Sequence, residues 1–136
     1  MTLRPLPLLG FGAAAAAAAS GVWLLRSYDP NVEGNPFLPC LFNLLTGLYC
    51  PGCGSTRSMH ALVHGDIVRA LDMNPLFVFA LVAVPLLVAW SRGWRPKALA
   101  PAMRVIGAPA FWLVLVPAFA VARNLPWAPF VWLAPG

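Results

Sequence analysis

The chain has little charge and almost no acid. Of its 136 residues four are Asp or Glu and nine are Lys or Arg, 10% in all, whereas soluble proteins carry about 25%. Apolar residues make up 60%. This excludes an ordinary water-soluble domain and points to an integral membrane protein. The net charge of +5 by itself admits nucleic acid as a partner. No basic stripe with interleaved aromatics is present, however, and the charges sit at the ends of apolar runs, so no nucleic acid is expected. A Ser/His/Asp set, paired catalytic carboxylates, a phosphate-binding loop and an internal repeat are also missing. Enzymatic activity is therefore not expected, except as thiol exchange. The length suits one membrane domain, residues 1–136.

Three apolar stretches read as membrane spans, at about 6–25, 75–90 and 105–122. The first holds no charge over 20 residues, the length of a bilayer crossing at about 1.5 Å per residue. It is weakly apolar, because Ala13 to Ala19 is polyalanine. The second is short but strongly apolar. Pro85, Pro109 and Pro117 fall inside spans, which membrane helices tolerate when neighbours satisfy the freed carbonyls. The expected fold is all-α, with three transmembrane helices and a re-entrant or interfacial helical segment between the first two. Trp23, Trp90, Trp94 and Trp127 lie near the expected interfaces, where such rings are enriched. Trp112 does not fit that rule. The uncharged tail from Leu125 onward is expected along the outer interface.

Charge sets the orientation. Arg92, Arg95, Lys97 and Arg104 crowd the 91–104 loop without an acid, and Arg4 precedes the first span. The positive-inside rule puts these on the cytoplasmic side, together with the N-terminus. On the other side Arg26, Arg57, Arg69 and Arg123 face Asp29, Glu33, Asp66 and Asp72, a balance of zero. Residues 26–74 are then extracytoplasmic, in a multi-pass protein of the cell (inner) membrane. A cleaved leader ending near Ala19-Ser20-Gly21 is the rival reading of the first span. It would leave the middle segment on the same side. The uncleaved reading is favoured because apolar residues continue through Val22, Trp23, Leu24 and Leu25.

The segment 36–74 carries the chemistry. Asp29 to Pro36 reads as an exposed loop. Pro39 opens a short apolar helix that Gly47 stops. The run Cys50-Pro51-Gly52-Cys53-Gly54-Ser55-Thr56-Arg57 follows, in which two thiols three residues apart can close on one metal ion or on each other. Ser55 or Thr56 is the expected N-cap of a helix to His64. Gly65 stops it, Asp66 caps a further short helix, and Asn74-Pro75 reads as N-cap and first residue of the second span.

TGLYCPGCGSTR, then HGDIVRAL and Asn74-Pro75-Leu76, then Arg123-Asn124, resemble the bacterial membrane family called domain of unknown function 2752, over roughly residues 36–126. The resemblance implies a small multi-span protein with this loop as its signature, and no activity. Its matching positions include Cys40, Thr46, Gly47, Cys50, Pro51, Cys53, Gly54, Thr56, Arg57, Gly65, Asn74, Pro75, Arg123 and Asn124. His60 and His64 lie outside the signature.

The residues leave three uses of the thiols open. The Cys-Pro-x-Cys-Gly turn resembles the knuckle of rubredoxins and zinc ribbons. With Cys40 as third thiolate and His60 or His64 as fourth ligand, the set Cys40, Cys50, Cys53, His60 and His64 suits zinc or copper(I). Against that, zinc ribbons use two knuckles and this chain has one. Cys50 and Cys53 also have the spacing of a redox dithiol, with Arg57 and a helix N-terminus nearby to favour thiolate. In the third use, Cys40 pairs with Cys50 or Cys53 as a disulfide staple, and the loop is a docking element for another membrane component. Thr56, Arg57, Asn74, Arg123 and Asn124 are the expected polar anchors, Arg57 pairing with Asp66 or Asp72 or holding an anion. Expected partners are the bilayer and either a second copy or another membrane protein.

Overall fold

The computed structural model describes residues 5–135, with side chains from residue 12 onward. Arg4 lies outside the described residues. All regular elements within them are helical: α1 (Pro5–Ser27), α2 (Leu41–Thr46), α3 (Ser55–Val63), α4 (Ile67–Met73), α5 (Pro75–Ser91), α6 (Ala100–Ile106) and α7 (Pro109–Ala122), with 3-10 turns at Lys97–Leu99 and Phe130–Leu133.

The middle of the chain is angular because its caps are strong. Gly47 closes α2 in the left-handed region (φ 72°), its N–H donating to Asn43 O. Asp66 Oδ1 accepts from Arg69 N at 2.9 Å and starts α4. Asn74 Oδ1 accepts from Phe77 N at 2.9 Å and starts α5, with Pro75 in the first turn. One residue thus separates α4 from α5, and their axes bend by 109°. The expected Ser55 or Thr56 cap is not found. Gly54 takes that position at φ 82°, because a Cβ there would lie 2.6 Å from Met73 O.

No single helix among the described residues is long and apolar enough to cross a membrane. Two bent pairs reach that length and composition only together: α4 with α5, and Lys97–Ile106 with α7 at 61°. The all-helical class is as expected; the stretches 6–25 and 75–90 each lie within one helix, α1 and α5, but none of the three passes alone as a crossing. The stretch read as 105–122 is broken at Gly107-Ala108, and Pro109 lies in the first turn of α7 rather than inside a span. Trp112 Nε1 donates to Ile106 O at 2.7 Å and satisfies a carbonyl that the break frees. Phe79 of α5 meets Phe111 and Trp112 of α7, with ring centroids 6.2 and 5.7 Å apart.

Packing is inverted relative to a water-soluble domain. The largest fully buried side chains are Arg123, Asn74 and Ser58. The buried apolar residues are Cys53, Ala61, Ala70, Met73, Ala83 and Met103, while Leu45, Leu113 and Val114 are each about 70% exposed or more. The polar residues gather where α3, the α4–α5 corner and the end of α7 meet, and that meeting point carries the cysteines.

Candidate functional site: a three-thiol knuckle

Cys50 to Gly54 forms a tight turn. Cys53 N donates to Cys50 O at 3.1 Å and Ser55 N to Gly52 O at 3.1 Å, while Cys50 N–H points at Cys53 Sγ, 3.1 Å away. Cys40 holds the N-cap position of α2, and the reversal at Gly47 returns the chain to it. Cys40 Sγ then lies 3.3 Å from Cys50 Sγ, which lies 3.0 Å from Cys53 Sγ. All three sulfurs fall within 4.8 Å of one another, and all three cysteines are free. Cys53 is buried, and Cys40 and Cys50 are half-buried. A cleft of about 600 Å³ opens onto them, with Asn35, Asn43, Tyr49, Thr56 and Arg57 in its wall.

The turn is gripped from behind by its own carbonyls. Asn74 Nδ2 donates to Pro51 O (2.9 Å), Cys53 O (3.1 Å) and Ser55 Oγ (3.3 Å). Arg123 Nη1 donates to Cys50 O at 2.9 Å and to Pro51 O at 3.4 Å, and Nη2 reaches Met73 O at 3.5 Å. Asn124 pairs with the Tyr49 backbone on both sides, Oδ1 accepting from its N–H and Nδ2 donating to its carbonyl, each at 2.8 Å. Phe119 and Tyr49 lie over the guanidinium, 4.9 and 5.8 Å from ring centroid to Cζ. The carbonyls are thus occupied, and the thiols remain for chemistry.

The three sulfurs are not equivalent. The backbone N–H of Asn43, in the first turn of α2, pulls the Cys40 thiol down to about 7, helped by its neighbours Cys53 and Cys50. Burial, followed by the neighbouring thiols of Cys50 and Cys40, pushes Cys53 up to about 12. The outer thiol of Cys40 is thus the more readily ionised and the inner one of Cys53 the less.

Of the residues expected at the site, the structure brings together Cys40, Cys50 and Cys53, with Asn74, Arg123 and Asn124 behind them and Thr56 and Arg57 at the cleft. His60 and His64 are not among them. His60 lies seven residues beyond Cys53, about 10 Å along a helix axis, well past a zinc–nitrogen bond of about 2 Å. Its Nδ1–H donates to Leu25 O at 2.7 Å and caps the end of α1, while Nε2 lies 3.8 Å from Asp29 Oδ1. His64 Nδ1–H donates to His60 O at 2.8 Å. Ser58 was missed by sequence reasoning. It is fully buried and its Oγ donates to Ala70 O at 2.9 Å, joining α3 to α4. The small residues Ala61 and Ala70 around it were the available signal for close helix approach.

These features define an all-helical chain whose buried polar centre holds a three-cysteine knuckle. Residues 40–88 match the model of the family described as protein of unknown function (DUF2752). The matched segment runs from Cys40 through most of α5, and this is the family that the motif resembles. The match does not take in the flanks, including α7 with Arg123 and Asn124. No curated protein and no solved structure matches the chain.

Proposed function

We propose that this is a multi-pass protein of the inner membrane that binds a thiophilic metal ion on its extracytoplasmic side. The observation that carries the reading is the convergence of three cysteine sulfurs, from two separate turns, within 4.8 Å. Zn–S bonds of about 2.3 Å put sulfurs about 3.8 Å apart in a tetrahedron, so the short pairs need to open by about 0.5–0.8 Å from 3.3 and 3.0 Å. The Cys50 N–H aimed at Cys53 Sγ offsets part of the burial that disfavours an anionic sulfur there, since a hydrogen bond to the charged form stabilises it. With three protein ligands, a tetrahedral ion keeps one position for an exchangeable ligand, and the adjoining cleft supplies room for it. Zinc and copper(I) are the candidate ions.

The membrane reading is supported by the outward-facing apolar side chains of α2, α5 and α7, among them Leu44, Leu45, Val82, Val84, Leu113 and Val114. The bent pairs α4–α5 and α6–α7 are then a re-entrant entry followed by a crossing, and a broken crossing. Backbone breaks at that depth need partners inside the protein, as Trp112 gives to Ile106. The charge asymmetry between the 91–104 loop and residues 26–74 supports the orientation.

A thiol–disulfide role is the second reading, favoured by the unequal thiols: an accessible Cys40 of low pKa beside Cys50, with Cys53 behind them. Metal content of protein purified without chelator, followed by a mass-shift count of free thiols, separates the two. The metal reading expects about one ion per chain, three thiols labelled after denaturation, and loss of the ion in Cys50→Ser. One labelled thiol and no metal would replace it with the disulfide reading or with a stapled docking loop.

A further inference from the structure

Arg123 is 1% exposed, the largest fully buried side chain among the described residues. An arginine cannot shed its charge at any ordinary pH, and a buried ion without a counter-charge is strongly destabilising. Among the described residues no carboxylate is paired with it, and none is among the groups that act on its charge. Its Nη atoms donate only to carbonyls, and its Nε is a buried side-chain polar atom without a partner. Those carbonyls belong to the knuckle, so the charge is fixed one peptide unit from the thiols, and all three sulfurs act on it electrostatically. Tyr49 presents its ring face to the guanidinium, so among the described residues the thiols are the remaining source of negative charge.

We infer that Arg123 is the built-in counter-charge of the Cys40–Cys50–Cys53 cluster, and that the cluster is accordingly filled as three thiolates around one divalent cation. The inference rests on the metal reading and narrows it. Three thiolates with a divalent ion carry −1, which the guanidinium neutralises. Three thiolates with a monovalent ion carry −2, one more negative charge than Arg123 neutralises. A monovalent ion reaches −1 only by leaving one of the three clustered sulfurs protonated and unused. Charge balance therefore selects zinc-like ions over copper(I). Arg123 is a positioning residue here: it touches the knuckle backbone and sets the charge that the sulfurs carry.

The test uses the full chain in detergent, with zinc alone as probe and chelator competition to read affinity, in wild type, Arg123→Lys, Arg123→Gln and Asn124→Ala. Asn124→Ala loosens the same turn without touching charge. Arg123→Gln should weaken zinc by 10–100-fold, the usual effect of losing an outer-shell partner. Arg123→Lys should keep most of the affinity, and Asn124→Ala should cost less than the Gln change. X-ray absorption on zinc-loaded wild type should count three sulfur ligands. The inference is overturned if Arg123→Gln binds zinc as wild type does. It also falls if Lys, Gln and Asn124→Ala all lose zinc alike, which would mark a purely structural role. Should Arg123→Gln fail to fold, wild type decides: preference for copper(I) held by two sulfurs overturns the inference, and three sulfurs on zinc sustain it. Wild type that binds neither ion brings down the metal reading and this inference with it.

Discussion

The knuckle end of the molecule and the α5–α7 end solve opposite problems. At the knuckle, charged and amide side chains are inside, and their hydrogen bonds go to named carbonyls of a tight turn. Along α5 and α7 the side chains are almost all apolar and many point outward, with cohesion from Phe79, Phe111, Trp112 and close small residues such as Ala83. An apolar surface cannot select one arrangement when its surroundings are equally apolar, because burial then gains little. Directional polar bonds can. The uniqueness of this fold therefore resides in Asn74, Arg123 and Asn124, and the long helices are comparatively permissive.

The comparison is tested most severely at Asn74. Its side chain caps α5 and also binds two knuckle carbonyls and Ser55. Asn74→Ala removes all of this in a fully buried site. Losing the cap costs about 1 kcal/mol, and each buried group left unpaired about 1–3 kcal/mol more. A total loss of about 3 kcal/mol or more is expected in denaturant unfolding of the detergent-solubilised protein, with lower folded yield. A loss under about 1 kcal/mol would mean that the polar centre does not hold the fold.

Gly54 and Gly65 sharpen the contrast within the knuckle end. Both have φ of 82°, so alanine at either meets the left-handed penalty of about 1–2 kcal/mol. At Gly65 nothing lies within 4 Å of an added Cβ, whereas at Gly54 the Cβ would sit 2.6 Å from Met73 O and 3.0 Å from Pro135 Cβ. Gly54→Ala should therefore lower stability clearly more than Gly65→Ala, by roughly 1–3 kcal/mol beyond it as overpacking adds to the backbone cost. It should also loosen the thiol cluster, read as faster alkylation of Cys53. Equal effects at the two glycines would show that the turn is not pressed against the α4–α5 corner.

Legibility in the sequence follows the same division. Local chemistry was readable: Gly47 and Gly65 as stops, Asp66 as a cap, Asn74-Pro75 as the start of α5, and Cys50-x-x-Cys53 as a turn. These are set by residues within four positions of one another. Cys40 joined the cluster through a chain reversal that Gly47 announces. What was hidden depends on distant approach. His60 and His64 share a helix face, but spacing alone does not say that this face meets the end of α1 rather than the sulfurs. Gly54 replaced Ser55 as cap because of Met73 O, a contact 19 positions away. The break between α6 and α7 was written as Gly107-Ala108-Pro109, a stop followed by a helix-opening proline, and uniform hydropathy masked it. Arg123 was named as an anchor, yet nothing in the linear chain reveals that it lacks an acid.

The smallest expected effect probes the permissive region. Leu113 on α7 is 74% exposed. Leu→Ala in a packed core costs about 2–5 kcal/mol, whereas substitutions at unpacked surface positions stay within about 0.5 kcal/mol. On the membrane reading Leu113→Ala should fall in the second class, because lipid or detergent would surround that side chain in folded and unfolded helices alike. Unfolding in detergent, measured at several protein concentrations, reads the result. A loss above about 2 kcal/mol that deepens on dilution would place Leu113 in a protein–protein contact. The outer face of α7 would then be an interface with a second chain rather than a lipid-facing surface, and the contrast between the two ends of the molecule would hold only for the isolated chain.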